Sequence, residues 1–125
     1  MRRLLALAFA ASAVFVLGAG CVLDWDRGAG GSGGKSCTPG ETNCEIDCDT
    51  SPCTASCGDA TTCHVRCAGG GCSVACGTAA LCELACAGGS CDEDCAGSSS
   101  CSLSCVGGGC TQACPQGVGC TCDGC

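Results

Sequence analysis

The chain has 125 residues and a formal charge of −7 at pH 7, with 21 cysteines, 22 glycines, two phenylalanines and no tyrosine. From Cys21 onward three bases (Arg27, Lys35 and Arg66) face all twelve acids, a balance of −9, which excludes a nucleic-acid-binding surface. Eleven large apolar side chains follow Gly20, too few to hold about ninety ordered residues by burial alone, so a covalent or metallic reinforcement is required.

Met1-Arg2-Arg3 is a basic start, and Leu4–Leu17 is an apolar run broken only by Ser12. The run is shorter than the roughly 20 residues a membrane-spanning helix needs. It fits the apolar segment of a secretory signal peptide, residues 1–20. The next expected unit is 21–36, an N-terminus followed by a Gly-rich tether, Gly28-Ala29-Gly30-Gly31-Ser32-Gly33-Gly34. Residues 37–125 are the expected repeat domain.

The repeat is carried by C-x-x-x-C blocks that begin at Cys44, Cys53, Cys63, Cys72, Cys82, Cys91, Cys101 and Cys110, with a partial block at Cys120. The starts alternate between 9 and 10 residues apart, so the period is 19. A fixed short period predicts stacked repeats. Within a block such as Cys44-Glu45-Ile46-Asp47-Cys48, the cysteines and the central residue sit at i, i+2 and i+4. That spacing puts all three on one face of a strand, whereas a helix would scatter them. Gly-rich joints separate the blocks, as in Ala68-Gly69-Gly70-Gly71, and suit tight turns. The expected fold is therefore an all-β, disulfide-rich, flattened β-solenoid with two five-residue strands in each 19-residue coil.

One register places Ile46, Val65, Leu84, Leu103 and Cys122 inward. The other places Ala55, Val74, Glu93 and Gln112 inward. Glu93 and Gln112 lie one period apart, so a side-chain hydrogen bond between them would satisfy this polar intrusion. The coil geometry also predicts the cysteine partners. Two cysteines of one block are roughly 13 Å apart along a strand, beyond disulfide reach. Cysteines flanking a turn are within reach, which gives Cys48–Cys53, Cys67–Cys72, Cys86–Cys91 and Cys105–Cys110 across the shorter joints. Across the longer ones it gives Cys57–Cys63, Cys76–Cys82, Cys95–Cys101 and Cys114–Cys120. Cys37–Cys44 and Cys122–Cys125 then close the ends. The rival scheme links far ends of a coil, for example Cys44 with Cys57.

Gly18-Ala19-Gly20-Cys21 resembles a bacterial lipobox, with Leu17 one place further from the cysteine than usual. The resemblance implies lipidation of Cys21 by a palmitate-type anchor. Removing Cys21 from the pool leaves an even twenty cysteines to pair. Val22 after the cysteine, by resemblance to Gram-negative lipoproteins, implies the outer membrane. Plain cleavage after Gly20, releasing a soluble secreted protein, is the alternative. The chain looks like the Cys-repeat lipoproteins of myxobacteria-like genomes, and in style its solenoid resembles beetle antifreeze proteins. Their regular Thr-x-Thr rows are missing: the outward pairs here include Thr54/Ser56, Asp92/Asp94 and Thr111/Ala113.

No catalytic, metal or cofactor site is assigned from the sequence. His64 is the only histidine and points outward beside Arg66. Asp92 and Asp94 flank an inward Glu93, and their neighbours Ser73, Ala75, Thr111 and Ala113 do not complete a calcium cage. The expected function is a non-catalytic, lipid-anchored structural or adhesive repeat protein, bound to the membrane through Cys21 and to no nucleic acid. The competing reading is a metallothionein-like thiolate metal binder, against which an oxidising compartment weighs.

Overall fold

A computed structural model describes residues 34–125; the leader, Cys21 and the tether up to residue 33 lie outside the described residues. The strands are β1 (Gly34–Ser36), β2 (Asn43–Cys48), β3 (Cys53–Ser56), β4 (Thr62–Cys67), β5 (Cys72–Ala75), β6 (Leu81–Cys86), β7 (Asp92–Asp94), β8 (Ser100–Cys105), β9 (Thr111–Ala113) and β10 (Gly119–Asp123). Odd-numbered strands form one five-stranded sheet and even-numbered strands the other, each ordered by sequence. Every pairing is parallel. Cys44 lies beside Cys63, Cys63 beside Cys82, Cys82 beside Cys101 and Cys101 beside Cys120. The fold is a β-solenoid of 19-residue coils, with no helix among the described residues.

The alternation within each block produces this arrangement. Strands β4, β6 and β8 bury every second residue, and the buried set is Cys-apolar-Cys. Ile46, Val65, Leu84 and Leu103 form the inward row of the even sheet, all at most 5% exposed. Ala55, Val74 and Glu93 are the buried centres of the odd sheet, directly facing that row across a thin interior. A third inward column runs through the longer turns: Ala60, Ala79 and Ser98 are all buried. Block periodicity does not show this column, because it lies in the joints.

The strands are not the uniform five-residue units expected. The fully repeated even strands β2, β4, β6 and β8 have six residues, while the odd ones shrink from four in β3 and β5 to three in β7 and β9. Corner geometry is the reason. The residue before the first cysteine is left-handed in the odd blocks at Cys72, Cys91 and Cys110 (Gly71, Ser90 at φ 55° and Gly109), and Pro52 before Cys53 has no N–H to give, so at each the chain turns off the ladder. In even blocks that residue stays extended and extends the strand: Leu81 N donates to Thr61 O and Ser100 N to Ala80 O.

The domain also begins earlier than expected. Gly34–Ser36, assigned above to the tether, is strand β1, paired with β3. Its Lys35 sits beside Ala55, an offset of 20 and not 19. The turn from Cys37 to Cys44 holds one residue more than those at the same corner of later coils, such as Cys57 to Cys63.

At the shorter turns, coils stack backbone on backbone. Gly71 N donates to Gly89 O at 2.9 Å and Ser90 N to Gly108 O at 3.0 Å. A methyl group on Gly89 would stand 2.5 Å from Gly108 O, and one on Gly88 would stand 2.5 Å from Gly69 C. The glycine runs are thus a requirement of close coil contact as well as of turning.

Candidate functional site

The chemistry of this domain is concentrated in its sulfurs. Ten pairs stand at disulfide distance: Cys37–Cys44, Cys48–Cys53, Cys57–Cys63, Cys67–Cys72, Cys76–Cys82, Cys86–Cys91, Cys95–Cys101, Cys105–Cys110, Cys114–Cys120 and Cys122–Cys125. Their Cα separations run from 5.8 to 6.4 Å, inside the usual window of about 4.4–6.8 Å. Nine of the pairs close corners where the two sheets meet, and Cys122–Cys125 closes a short loop off β10. Such a disulfide-rich chain fits an oxidising, exported environment.

Successive bridges also touch. Cys37 Sγ lies 3.7 Å from Cys63 Sγ, Cys57 Sγ 3.8 Å from Cys82 Sγ, and Cys76 Sγ 3.7 Å from Cys101 Sγ. One corner of the solenoid is therefore a column of sulfurs in van der Waals contact. Cys37, Cys57 and Cys63 have ligand atoms within 4.8 Å of one another, as do Cys48, Cys53 and Cys72 at the opposite corner. In reduced form these triplets would be thiolate clusters with metal-binding spacing.

Glu93 adds a carboxylate to this interior. It is 1% exposed, and its ligand oxygen lies within 4.8 Å of the sulfurs of Cys76, Cys95 and Cys101. Gln112 Nε2 donates to Glu93 Oε2 at 2.7 Å, the bond that the 19-residue offset anticipates. Burial pushes the Glu93 carboxyl above its ordinary range, and the Gln112 hydrogen bond offsets part of that.

Gln112 has a second task. Its Nε2 also donates to Thr121 O at 3.2 Å, so one side chain ties the last odd strand to the last even strand. Lys35 does the equivalent at the opposite end, where its Nζ donates to the carbonyl of Asp47 in β2. A solenoid end otherwise leaves its interior open, and repeat proteins need polar ends to remain soluble. The Lys35 cap was not legible beforehand because the offset of 20 takes it out of the repeat register.

The outward face of the even sheet carries the charged rows. Neighbouring coils place Glu45, His64 and Glu83 in line, and Asp47 beside Arg66. His64 Nδ1 lies 2.6 Å from Glu83 Oε2; Arg66 Nη1 lies 3.6 Å from Asp47 Oδ1 and 4.0 Å from Glu45 Oε2. His64 faces outward as expected, yet it is half-buried and carboxylate-paired, where free solvation was expected. Its 19-residue offset from Glu83 was the available signal. These exposed pairs contribute roughly 0–1 kcal/mol each. Ser102 follows Glu83 in the same row, two rungs from His64 and so about 10 Å away. A serine-histidine-acid relay needs the histidine between the other two, and the order here is different.

Asp92 and Asp94 point outward from β7, with Glu93 buried between them. Asp92 Oδ1 accepts from Thr111 Oγ1, and Asp94 Oδ1 accepts from the Ala96 amide at 3.0 Å. Both carboxylates are engaged by their own turn or next coil and do not converge. Cys21 lies outside the described residues. Neither a family model, nor a curated protein, nor a solved structure matches the chain.

Proposed function

We propose that the protein is a non-catalytic, lipid-anchored repeat module with a structural or adhesive role, held at the outer membrane by Cys21 and displayed at the cell surface or toward the periplasm. What supports the reading above all is the 19-residue register that both sheets keep from β2 onward. It makes a rod whose corners are bridged at every coil and whose outward faces are flat ladders, mostly of small and acidic residues with His64 and Arg66 on one rung. Such a body resists proteolysis and presents flat outward ladders along its length. The Gly-rich segment before Gly34 supplies reach between rod and membrane.

The anchor is tested by metabolic labelling in a Gram-negative host. Labelled palmitate is expected in the wild type and lost in Cys21→Ser; a soluble, unlabelled product beginning at Cys21 would overturn this part of the reading. The second reading, a thiolate metal binder, is favoured by the sulfur triplets within 4.8 Å of each other. Thiol titration of the denatured protein separates the two. Near-zero free thiols support the disulfide-bridged rod, and many thiols with bound zinc or copper support the metal binder.

A further inference from the structure

The ten bridges are not equally accessible, and one of them stands apart in three respects. Seven have both cysteines buried. Cys37–Cys44 has one half-buried and one buried partner, and Cys114–Cys120 one exposed and one half-buried. Only Cys122–Cys125 has both partners exposed among the described residues. It also closes the shortest loop, a Cys122-Asp123-Gly124-Cys125 segment with a separation of 3 against 5 to 7 elsewhere. Finally, it sits on β10, at the edge of the even sheet, where none of the described residues stacks on it.

From these features we propose that Cys122–Cys125 is an exchange-active disulfide whose substrates are dithiols on exported polypeptides. Thiol–disulfide exchange requires a thiolate to reach a bridge sulfur, and access is one of its governing terms. C-x-x-C is also the spacing at which redox-active pairs occur. The geometry further keeps the two cysteines together whether or not they are bonded. Strand β10 is in full register with β8 from Gly119 to Asp123, and Gln112 holds the carbonyl of Thr121. Gly124 turns at φ +83° against the carbonyl of Cys105, leaving no room for a Cβ. Cys122 and Cys125 therefore remain with Cα atoms near their bonded separation of 6.0 Å, ready to close again.

The step balances without any further reagent. One thiolate of the substrate dithiol attacks a sulfur of the bridge; the Cys122–Cys125 bond breaks and a mixed disulfide forms. The second substrate thiolate then attacks its own sulfur in that mixed disulfide and releases the second cysteine. The substrate is oxidised to a disulfide, Cys122 and Cys125 are reduced to thiols, and the two substrate protons end on them. The exchange is stoichiometric, and it goes beyond the structural reading above and is independent of lipid on Cys21.

The test uses the oxidised full chain. It is exposed to dithiothreitol without denaturant, quenched at intervals with iodoacetamide and mapped by peptide mass spectrometry. Label is expected at Cys122 and Cys125 at least tenfold faster than at any other cysteine, with the strand circular dichroism unchanged. In a second arm, a reduced Cys-x-x-Cys peptide should gain a disulfide in the same amount as label appears at Cys122 and Cys125, and C122S/C125S should abolish this. Earlier labelling of Cys114–Cys120 or Cys37–Cys44 would overturn the proposal, as would labelling of Cys122 and Cys125 only together with loss of the strand signal. So would peptide oxidation that persists in the double variant.

Discussion

Adding one methyl group at three corner glycines separates the two demands that the short turns place on the chain. Gly108 has φ +73° and open space where a Cβ would stand, so Gly108→Ala meets only the conformational demand. A left-handed L-residue costs roughly 1–2 kcal/mol. Gly88 is not left-handed, but its Cβ would stand 2.5 Å from Gly69 C and from Gly70 N. Gly88→Ala therefore meets only the steric one. Gly89 meets both, with φ +75° and its Cβ 2.5 Å from Gly108 O. Relieving that overlap pushes the coils apart at the corner where Gly71 N donates to Gly89 O and Ser90 N to Gly108 O. Each such bond contributes about 1 kcal/mol net. The expected losses are about 1–2 kcal/mol for Gly108→Ala, about 1–2 for Gly88→Ala and about 2–4 for Gly89→Ala, which meets both demands. Urea unfolding followed by circular dichroism, with the disulfides intact, measures all three on one scale. Equal losses at Gly89 and Gly108, or a neutral Gly88→Ala, would refute direct backbone stacking at this corner.

Burial raises the Glu93 pKa in the folded state, so the folded chain prefers the neutral acid. Its stability contribution is full below the unfolded carboxylate value of about 4.3 and is lost as pH rises through the folded value. Glu93→Gln should accordingly melt at a higher temperature than wild type at pH 7, with the gap closing on acidification; a gap that widens at low pH would contradict this. Partial reduction with peptide mapping should recover Cys48–Cys53, Cys67–Cys72 and the other turn-flanking linkages, and isolating Cys44–Cys57 as a native bond would overturn the corner scheme while leaving the solenoid intact. Millimolar calcium should leave the melting temperature unchanged, since Asp92 and Asp94 are engaged separately; a rise of several degrees that disappears in Asp92→Ala would show a site there.

The division between sequence and tertiary structure follows from how a solenoid is built. In parallel, in-register stacking, each residue's neighbour in space is the one 19 positions away, so tertiary contacts are written as a sequence offset. That is why the period, the inward rows through Val65 and Val74, and the Glu93–Gln112 hydrogen bond were all legible from spacing alone. The same offset connects His64 with Glu83, although a reading confined to single blocks passes over it. Contacts that leave the offset were decided by the folded chain. Lys35 caps the first coil from a position one residue out of register, and Gln112 reaches Thr121 across the interior, between sheets. Strand lengths depended on which corner residues turn left-handed, a property of coil closure that block composition does not carry. The exposure of Cys122 and Cys125 arose in the same way. The C-x-x-C spacing of Cys122 and Cys125 sets this bridge apart in sequence, but how far it is shielded depends on whether another coil stacks on it, and none of the described residues stacks on β10.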